Sequence, residues 1–144
     1  MPRYFIPWPV SAGFPSPGER HFEQPLDLDV LLSFERDATY YVTVEGNSMF
    51  GAAIHDGDIL IVSRAIEPTP HAIVVAVLND TFMVKRLMYE SDGTILLHSE
   101  HPHYPPLRVE QGMNFSVWGV VMFVLHPLHP LAARRLCQRE GMGQ

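Results

Sequence analysis

Between Ala38 and Leu125 the sequence repeats one pattern, in which short runs of β-branched and aromatic residues alternate with turn-forming residues. Such runs are typical of β-strands. Asn79 and Asp80 join two of the runs and predict a tight hairpin. Several runs are apolar on both faces, so we expect a mainly β fold whose sheet is curled or covered on both sides. The predicted strands are TYYVTV, DILIVS, AIVVAVL, TFMVKRLM, TILLH and FSVWGVVMFVL.

The sequence on either side of this pattern is different. Proline and glycine crowd residues 1–26, which forbids a long helix and predicts an extended arm. In DLDVLLSFERD, leucines at helical spacing predict one short helix that is capped by Asp27 and ends near Arg36. Residues 126–144 have weak periodicity and predict either a partly disordered tail or an added helix. We therefore divide the chain into an arm (1–26), a β domain (27–125) and a tail (126–144).

Composition and charge argue against several classes of protein. The formal net charge is -6 with 10 lysines and arginines, and no helix-turn-helix pattern occurs, so nucleic-acid binding is not the expected main role. The single cysteine, Cys137, cannot form an internal disulfide and favours a reducing compartment. VSA before Gly13 resembles a leader-peptidase site, but the preceding YFIPWPV is short and broken by prolines. No apolar run approaches bilayer length, and we predict a cytoplasmic protein without membrane contact.

Two residues of the β region could act together as a catalytic pair. Ser48 follows a strand and Gly46 in VEGNSMFG, a setting that can expose a hydroxyl beside backbone N–H groups. Alone, this pattern indicates only a turn. Lys85 alternates with Met83 and Leu87 on one strand face, where burial would lower the pKa of its amine and make it a general base for serine. The alternation alone slightly favours a simpler interpretation, a lysine that reaches solvent or pairs with an acid.

The histidine-rich stretch HSEHPH offers a rival site. His98, His101 and His103, together with Glu100, have side chains of the kinds that bind metal ions. Pro102 breaks the local geometry, however, and no second ligand cluster has a metal-site spacing. An exposed loop is therefore the better interpretation.

Other candidate sites are weaker still. Ser48 with a histidine and an aspartate could form a triad, but nothing in the sequence selects one of the 8 histidines. Asp56-Gly57-Asp58 indicates a turn that opens a strand, without further carboxylates nearby to suggest a metal site. Cys137 is expected to be an inert thiol. The sequence predicts neither a metal nor a cofactor.

Five stretches taken together resemble a known family. SAGFPSP, ATYYVTVEGNSM, DGDILIV, FMVKRL and WGVV occur in the order found in the UmuD family, the self-cleaving relatives of the LexA repressor. The spacing between Ser48 and Lys85 is also that of the family. Each motif is weak alone, but the combination is specific and covers most of the chain. The resemblance implies the curled, partly barrel-like antiparallel sheet of the LexA/UmuD peptidase domain.

The resemblance also implies a chemistry and a set of roles. Ser48 would be the nucleophile and Lys85 its general base, with the backbone N–H groups of Ser48 and Met49 holding the oxyanion. The cleaved bond would be the peptide bond between Ala12 and Gly13 in the chain's own arm. Each subunit would cut either its own arm or that of a partner subunit. Family members are homodimers whose cleavage is stimulated by RecA filaments on single-stranded DNA in the SOS response. Their shortened form joins UmuC, a Y-family polymerase subunit, in error-prone translesion synthesis, without sequence-specific DNA binding of its own.

Two other functions remain open on the sequence alone. A serine–lysine dyad could act on other proteins, as in leader peptidases, although those enzymes need a membrane anchor or an apolar docking surface. A non-catalytic β domain could instead serve only to bind partners. That last hypothesis predicts that Ser48 and Lys85 tolerate alanine without chemical consequence.

Overall fold

The computed structural model describes residues 3–5, 12–13 and 24–138, in a chain that divides into two compact units, Met1–Phe34 and Glu35–Gln144. In the first unit, strand β1 (Arg3–Phe5) pairs antiparallel with strand β2 (Gln24–Leu26). The sequence predicted an extended arm but not this pairing. The remaining arm residues lie outside the described part of the chain.

A short helix, α1 (Leu28–Leu32), follows β2. The side chain of Asp27 accepts a hydrogen bond from the backbone N–H of Asp29 at 3.0 Å, which confirms the predicted N-cap. The predicted end near Arg36 is wrong, because Ser33 already has extended backbone angles. None of the helical residues is buried, so no packing energy favours further helical turns.

The second unit is built around one seven-stranded sheet in which all neighbouring strands are antiparallel. All six predicted strands are present, and one further strand of two residues was not predicted. The strands are β3 (Thr39–Thr43), β4 (Ile59–Ser63), β5 (Ile73–Leu78), β6 (Thr81–Tyr89), β7 (Ile95–His98), β8 (Leu107–Arg108) and β9 (Phe115–Leu125).

The strand order is β3-β4-β9-β5-β6-β7-β8, so the sheet is open, with β3 and β8 at its edges. The longest strand, β9, runs between β4 and β5 and shifts register against each of them. Such bulges bend a strand and increase its twist, which curls the sheet. Asn79 and Asp80 form the predicted hairpin turn between β5 and β6, both with positive φ as a type I′ turn requires.

Apolar residues are buried on both faces of the sheet, as the sequence predicted. Val74 and Val75 are neighbours on β5, and they belong to two different buried clusters. The first cluster is formed by Val44, Met49, Ile54, Leu60, Val62 and Val75. The second is formed by Val74, Ala76, Leu87, Leu97 and Val120.

A second helix, α2 (Pro130–Cys137), follows the last strand. His129 caps it by accepting a hydrogen bond from the N–H of Leu131 at 3.1 Å. Of the two predictions for the tail, the helix is therefore the one found over this range. No helix in the described part of the chain is both long and apolar enough to cross a membrane.

Candidate active site

Ser48 lies in the loop between β3 and β4, which we call the Ser48 segment (residues 44–58). The two ends of the segment are joined, because Val44 donates its N–H to the carbonyl of Asp58 at 2.9 Å and accepts from Gly57 at 2.8 Å. Gly46 has a φ of 93°, which a residue with a side chain rarely adopts. Its N–H is bonded to the carboxylate of Asp56 at 2.7 Å. The loop is thus closed into a compact unit with a fixed backbone.

The Ser48 segment is anchored in the core. Met49 and Ile54 are each 2% exposed and belong to the first buried cluster. Between them, Phe50–Ala52 form one turn of 3-10 helix. Because the residue directly after Ser48 is buried, the hydroxyl of Ser48 is held at a defined position at the edge of the core.

Gly51 joins the Ser48 segment to the loop that follows β7. Its N–H donates to the carbonyl of Glu100 at 2.7 Å. A Cβ atom at position 51 would lie 2.7 Å from that same carbonyl oxygen, closer than any real side-chain carbon approaches an oxygen. Only glycine therefore permits this backbone contact.

Lys85 reaches Ser48 from the middle of β6. Its Nζ lies 3.3 Å from Oγ of Ser48 and 2.6 Å from Oγ of Ser99, and the ring centroid of Tyr104 is 5.9 Å away. No carboxylate within the described residues forms an ion pair with Lys85. Burial removes water from the amine and lowers its pKa below the usual lysine value. A larger share of this amine is consequently neutral than of an exposed lysine.

Ser99 was not predicted as a site residue, although the sequence holds a signal for it. It lies 14 residues from Lys85, directly after the end of β7. The SDG turn sets the register of the hairpin so that Arg86 pairs with His98, which brings the next residue, Ser99, opposite Lys85. Extending the predicted hairpin by one residue would have found this contact.

The oxyanion donors predicted from the resemblance are both in the Ser48 segment. Among the described residues, no acceptor is bonded to the backbone N–H of Ser48 or Met49. The carbonyl of Met49, by contrast, accepts from Ala52 at 3.0 Å and from Ile54 at 3.3 Å. The two N–H groups therefore have free hydrogen-bonding capacity next to the hydroxyl of Ser48.

The residues predicted to flank the cleaved bond belong to the first unit. Ala12 and Gly13 lie in a bend, and both are exposed. A Cβ atom at Gly13 would meet nothing within 4 Å. The bond between them is thus sterically accessible, as the substrate of any peptidase must be.

An apolar groove lies beside the Ser48 segment in the second unit. Its volume is about 430 Å³, and its lining includes Val44, Glu45, Phe82 and Trp118. Glu45 is three residues before Ser48, and Phe82 is three residues before Lys85. Ser48 and Lys85 themselves are not part of this lining, and the groove could accept an apolar stretch of extended peptide.

The rival histidines do not gather into a metal-ligand group within the described residues. The imidazole of His101 accepts from the N–H of His103 at 3.1 Å, and the carboxylate of Glu100 is bonded to Arg86. Among the described side chains, the amine of Lys85 is the one basic group in hydrogen-bond contact with Ser48. Cys137 is exposed on α2.

Comparisons with known proteins find one matching family model and several similar proteins. A family model described as Peptidase S24-like matches residues 5–122. The chain is 35% identical to protein MucA of Salmonella typhimurium over 126 residues, which cover 87% of this chain and 84% of MucA. Protein ImpA of Salmonella typhimurium is 36% identical over 115 residues, 80% of this chain and 77% of ImpA. The LexA repressor of Paracidovorax citrulli is 37% identical over 113 residues, 78% of this chain but 50% of the repressor.

Proposed function

Because the chain belongs to the peptidase S24-like family of serine peptidases, and within it to the UmuD family, we propose that it cuts its own arm between Ala12 and Gly13. The observation that carries the proposal is the contact of 3.3 Å between Nζ of Lys85 and Oγ of Ser48. The lowered pKa of the Lys85 amine adds to it, because only a neutral amine can take a proton from serine.

The reaction is acyl transfer to serine. Neutral Lys85 accepts the hydroxyl proton of Ser48 while Oγ attacks the carbonyl carbon of Ala12, and the N–H groups of Ser48 and Met49 bind the negative oxygen that forms. When the peptide bond breaks, the resulting Lys85 ammonium returns its proton to the nitrogen of Gly13, which leaves as a new amino terminus. Water, deprotonated by the neutral amine, then releases the acyl group from Ser48.

Ser99 has a positioning role in this scheme. A neutral amine has two N–H donors and one lone pair. If Nζ donates to Oγ of Ser99, at 2.6 Å, its lone pair is left to accept the proton of Ser48. Ser99 therefore orients the base through its contact with Nζ and takes up no proton itself.

Family membership supports a wider role than the cleavage itself. Under this proposal the chain is a cytoplasmic homodimer whose cleavage is stimulated by RecA filaments on single-stranded DNA. The shortened form then acts as an accessory subunit of a UmuC-like, error-prone Y-family polymerase during the SOS response. The similarity to MucA and ImpA over most of their lengths favours this role over repression, because the chain matches only 50% of the LexA repressor.

The test is to follow the intact mass of the purified chain at neutral and alkaline pH, with and without RecA filaments. Wild type is compared with Ser48→Ala and Lys85→Ala. We expect wild type alone to lose residues 1–12, at a rate that increases as pH rises through the Lys85 pKa. An intact mass in every sample would contradict the proposal and favour a β domain that only binds partners. A rate independent of pH would count against the lysine base.

A further inference from the structure

Three side chains with metal-binding chemistry meet where β4 begins and β9 ends. Asp58 immediately precedes β4, and His126 immediately follows β9. These strands pair antiparallel with Ile59 opposite Leu125, so the two flanking residues also face each other. His55 lies three residues before Asp58, at the end of the Ser48 segment. One potential ligand atom from each of the three side chains lies within 4.8 Å of those of the other two.

The hydrogen bonding inside this cluster is incomplete. The carboxylate of Asp58 is 1% exposed; its Oδ1 lies 2.5 Å from Nδ1 of His126, and its Oδ2 accepts the backbone N–H of His55 at 2.8 Å. Nδ1 of His55 is buried and has no hydrogen-bond partner among the described residues, although Oδ2 of Asp58 is only 3.6 Å away. At that distance a protonated Nδ1 makes no proper hydrogen bond, and a deprotonated Nδ1 turns its lone pair towards an anion.

A cation bound between the three side chains would remove this conflict. It would give the lone pair of His55 a partner and would neutralise the buried carboxylate of Asp58. The imidazole rings of His55 and His126 lie side by side, with centroids 4.4 Å apart. Their side chains are 34% and 37% exposed, which leaves an entry path and space for water as a fourth ligand.

We propose that His55, Asp58 and His126 bind one divalent transition-metal ion, and that Zn²⁺ fits this ligand set best. Two imidazole nitrogens and one carboxylate oxygen suit Zn²⁺, whereas Mg²⁺ and Ca²⁺ prefer sites made of oxygen ligands. Ligands around Zn²⁺ stand at roughly 2.0–2.2 Å from the ion, so the side chains must adjust slightly around it. Binding replaces the contact between Nδ1 of His126 and Oδ1 of Asp58 by bonds to the ion.

No local sequence pattern indicates this site, because its ligands are far apart along the chain. His126 is 68 residues from Asp58, and no local spacing connects them. The pairing of β4 with β9 brings them together. Asp56-Gly57-Asp58 is indeed a turn before a strand, but its last carboxylate points to partners that local sequence does not reveal.

The test is a titration of the tag-free, chelator-treated full chain with Zn²⁺ by calorimetry, and with Co²⁺ by visible absorption. We expect one ion per chain and the absorption bands of Co²⁺ in a low-symmetry nitrogen and oxygen site. His126→Ala and His55→Ala should each weaken Zn²⁺ binding by at least about 100-fold. His103→Ala, in the exposed loop, is the matched control and should leave the affinity unchanged.

A second measurement covers the case in which a variant is unstable. Zn²⁺ at about 100 times its Kd should raise the unfolding midpoint of wild type by roughly 5–10 °C and leave that of Asp58→Asn unchanged. Asp58→Asn keeps an oxygen for the N–H of His55, and circular dichroism without metal shows whether it folds. Absence of Zn²⁺ binding to wild type, or equal binding to His126→Ala, overturns the proposal. Neither result depends on whether the chain cuts itself.

Discussion

Two basic residues stand next to each other on β6 and have opposite kinds of partner. Lys85 is bonded to two hydroxyls, those of Ser48 and Ser99. Arg86, on the other face of the strand, is bonded to the carboxylate of Glu100 and to a backbone carbonyl at 2.6 Å. Both cations are partly buried, but only one has a counter-ion among the described residues. Without an anion beside it the Lys85 amine can lose its proton, whereas the Arg86 guanidinium is charged in any setting and forms an ion pair with Glu100.

The largest effect is expected when each of the two residues is replaced, in separate variants, by the other type of cation. Lys85→Arg should reduce self-cleavage by at least about 1000-fold, because a guanidinium does not give up its proton and cannot accept one from Ser48. Arg86→Lys, the matched control, keeps a cation beside Glu100 and should leave the rate within a few-fold of wild type. The measurement is intact mass against time with RecA filaments present. Residual cleavage by Lys85→Arg at the wild-type rate would exclude Lys85 as the base.

A milder change gives Lys85 the counter-ion that Arg86 already has. Ser99→Asp should raise the pKa of the Lys85 amine, because a nearby anion favours the ammonium, and slow cleavage at neutral pH by about 10- to 1000-fold. Because the amine still loses its proton at higher pH, the rate should recover there. Ser99→Asn, similar in shape but uncharged, should keep the pH dependence of wild type. The two pH–rate profiles decide the matter, and parallel profiles would argue against a charge effect.

Removing the counter-ion from Arg86 should affect stability rather than chemistry. Glu100→Gln leaves the guanidinium with a neutral acceptor and should lower the free energy of unfolding by about 0.5–1.5 kcal/mol. The backbone carbonyl of Glu100, which holds Gly51, is unchanged, so cleavage should remain near the wild-type rate. Chemical denaturation in a Ser48→Ala background measures the first effect and intact mass the second. A loss of cleavage without a loss of stability would mean that Glu100 acts on the dyad.

The smallest expected effect is a gain. Lys85→Met in a Ser48→Ala background should raise the free energy of unfolding at pH 7 by no more than ~1 kcal/mol, since solvent screens part of the amine's desolvation penalty. In the window between the lowered folded pKa and the ordinary lysine pKa, the unfolded chain binds more protons than the folded chain. The stability of the lysine form therefore rises with pH. The difference in unfolding free energy between the lysine form and the Lys85→Met variant should close towards about pH 10.

Arg86→Met is the contrasting variant for this measurement. It leaves the carboxylate of Glu100 without its partner and should destabilise the fold at neutral pH, where the Lys85 change stabilises it. If both methionine variants shift the free energy of unfolding in the same direction, the different partners of Lys85 and Arg86 do not determine how each residue affects stability.

Regular structure could be predicted largely from local patterns. Six strands were predicted because β-branched runs end at strong turn signals, and Asn79-Asp80 defines one hairpin by its chemistry. β8 was missed because a strand of two residues has no measurable alternation. The helix α1 was predicted too long because the helical spacing of its leucines extends to Glu35, although the backbone has already become extended at Ser33.

The sites depend on pairing between strands, which local patterns describe only in part. The Ser48 and Lys85 positions came from the order and spacing of motifs over the whole chain. Ser99 required the register of one hairpin, and the partners of Asp58 required a pairing between strands separated by most of the domain. Sequence patterns therefore predicted the elements better than the contacts among them.

The backbone contact at Gly51 has a consequence for genetics. A methyl group at this position would force the backbone of the Ser48 segment away from that of Glu100, without altering any reacting atom. Selection for loss of self-cleavage should therefore return two kinds of allele. Alleles at Ser48 or Lys85 would be null under all conditions, whereas alleles at Gly51 would be temperature-sensitive and open to suppression by second changes that move the neighbouring backbone.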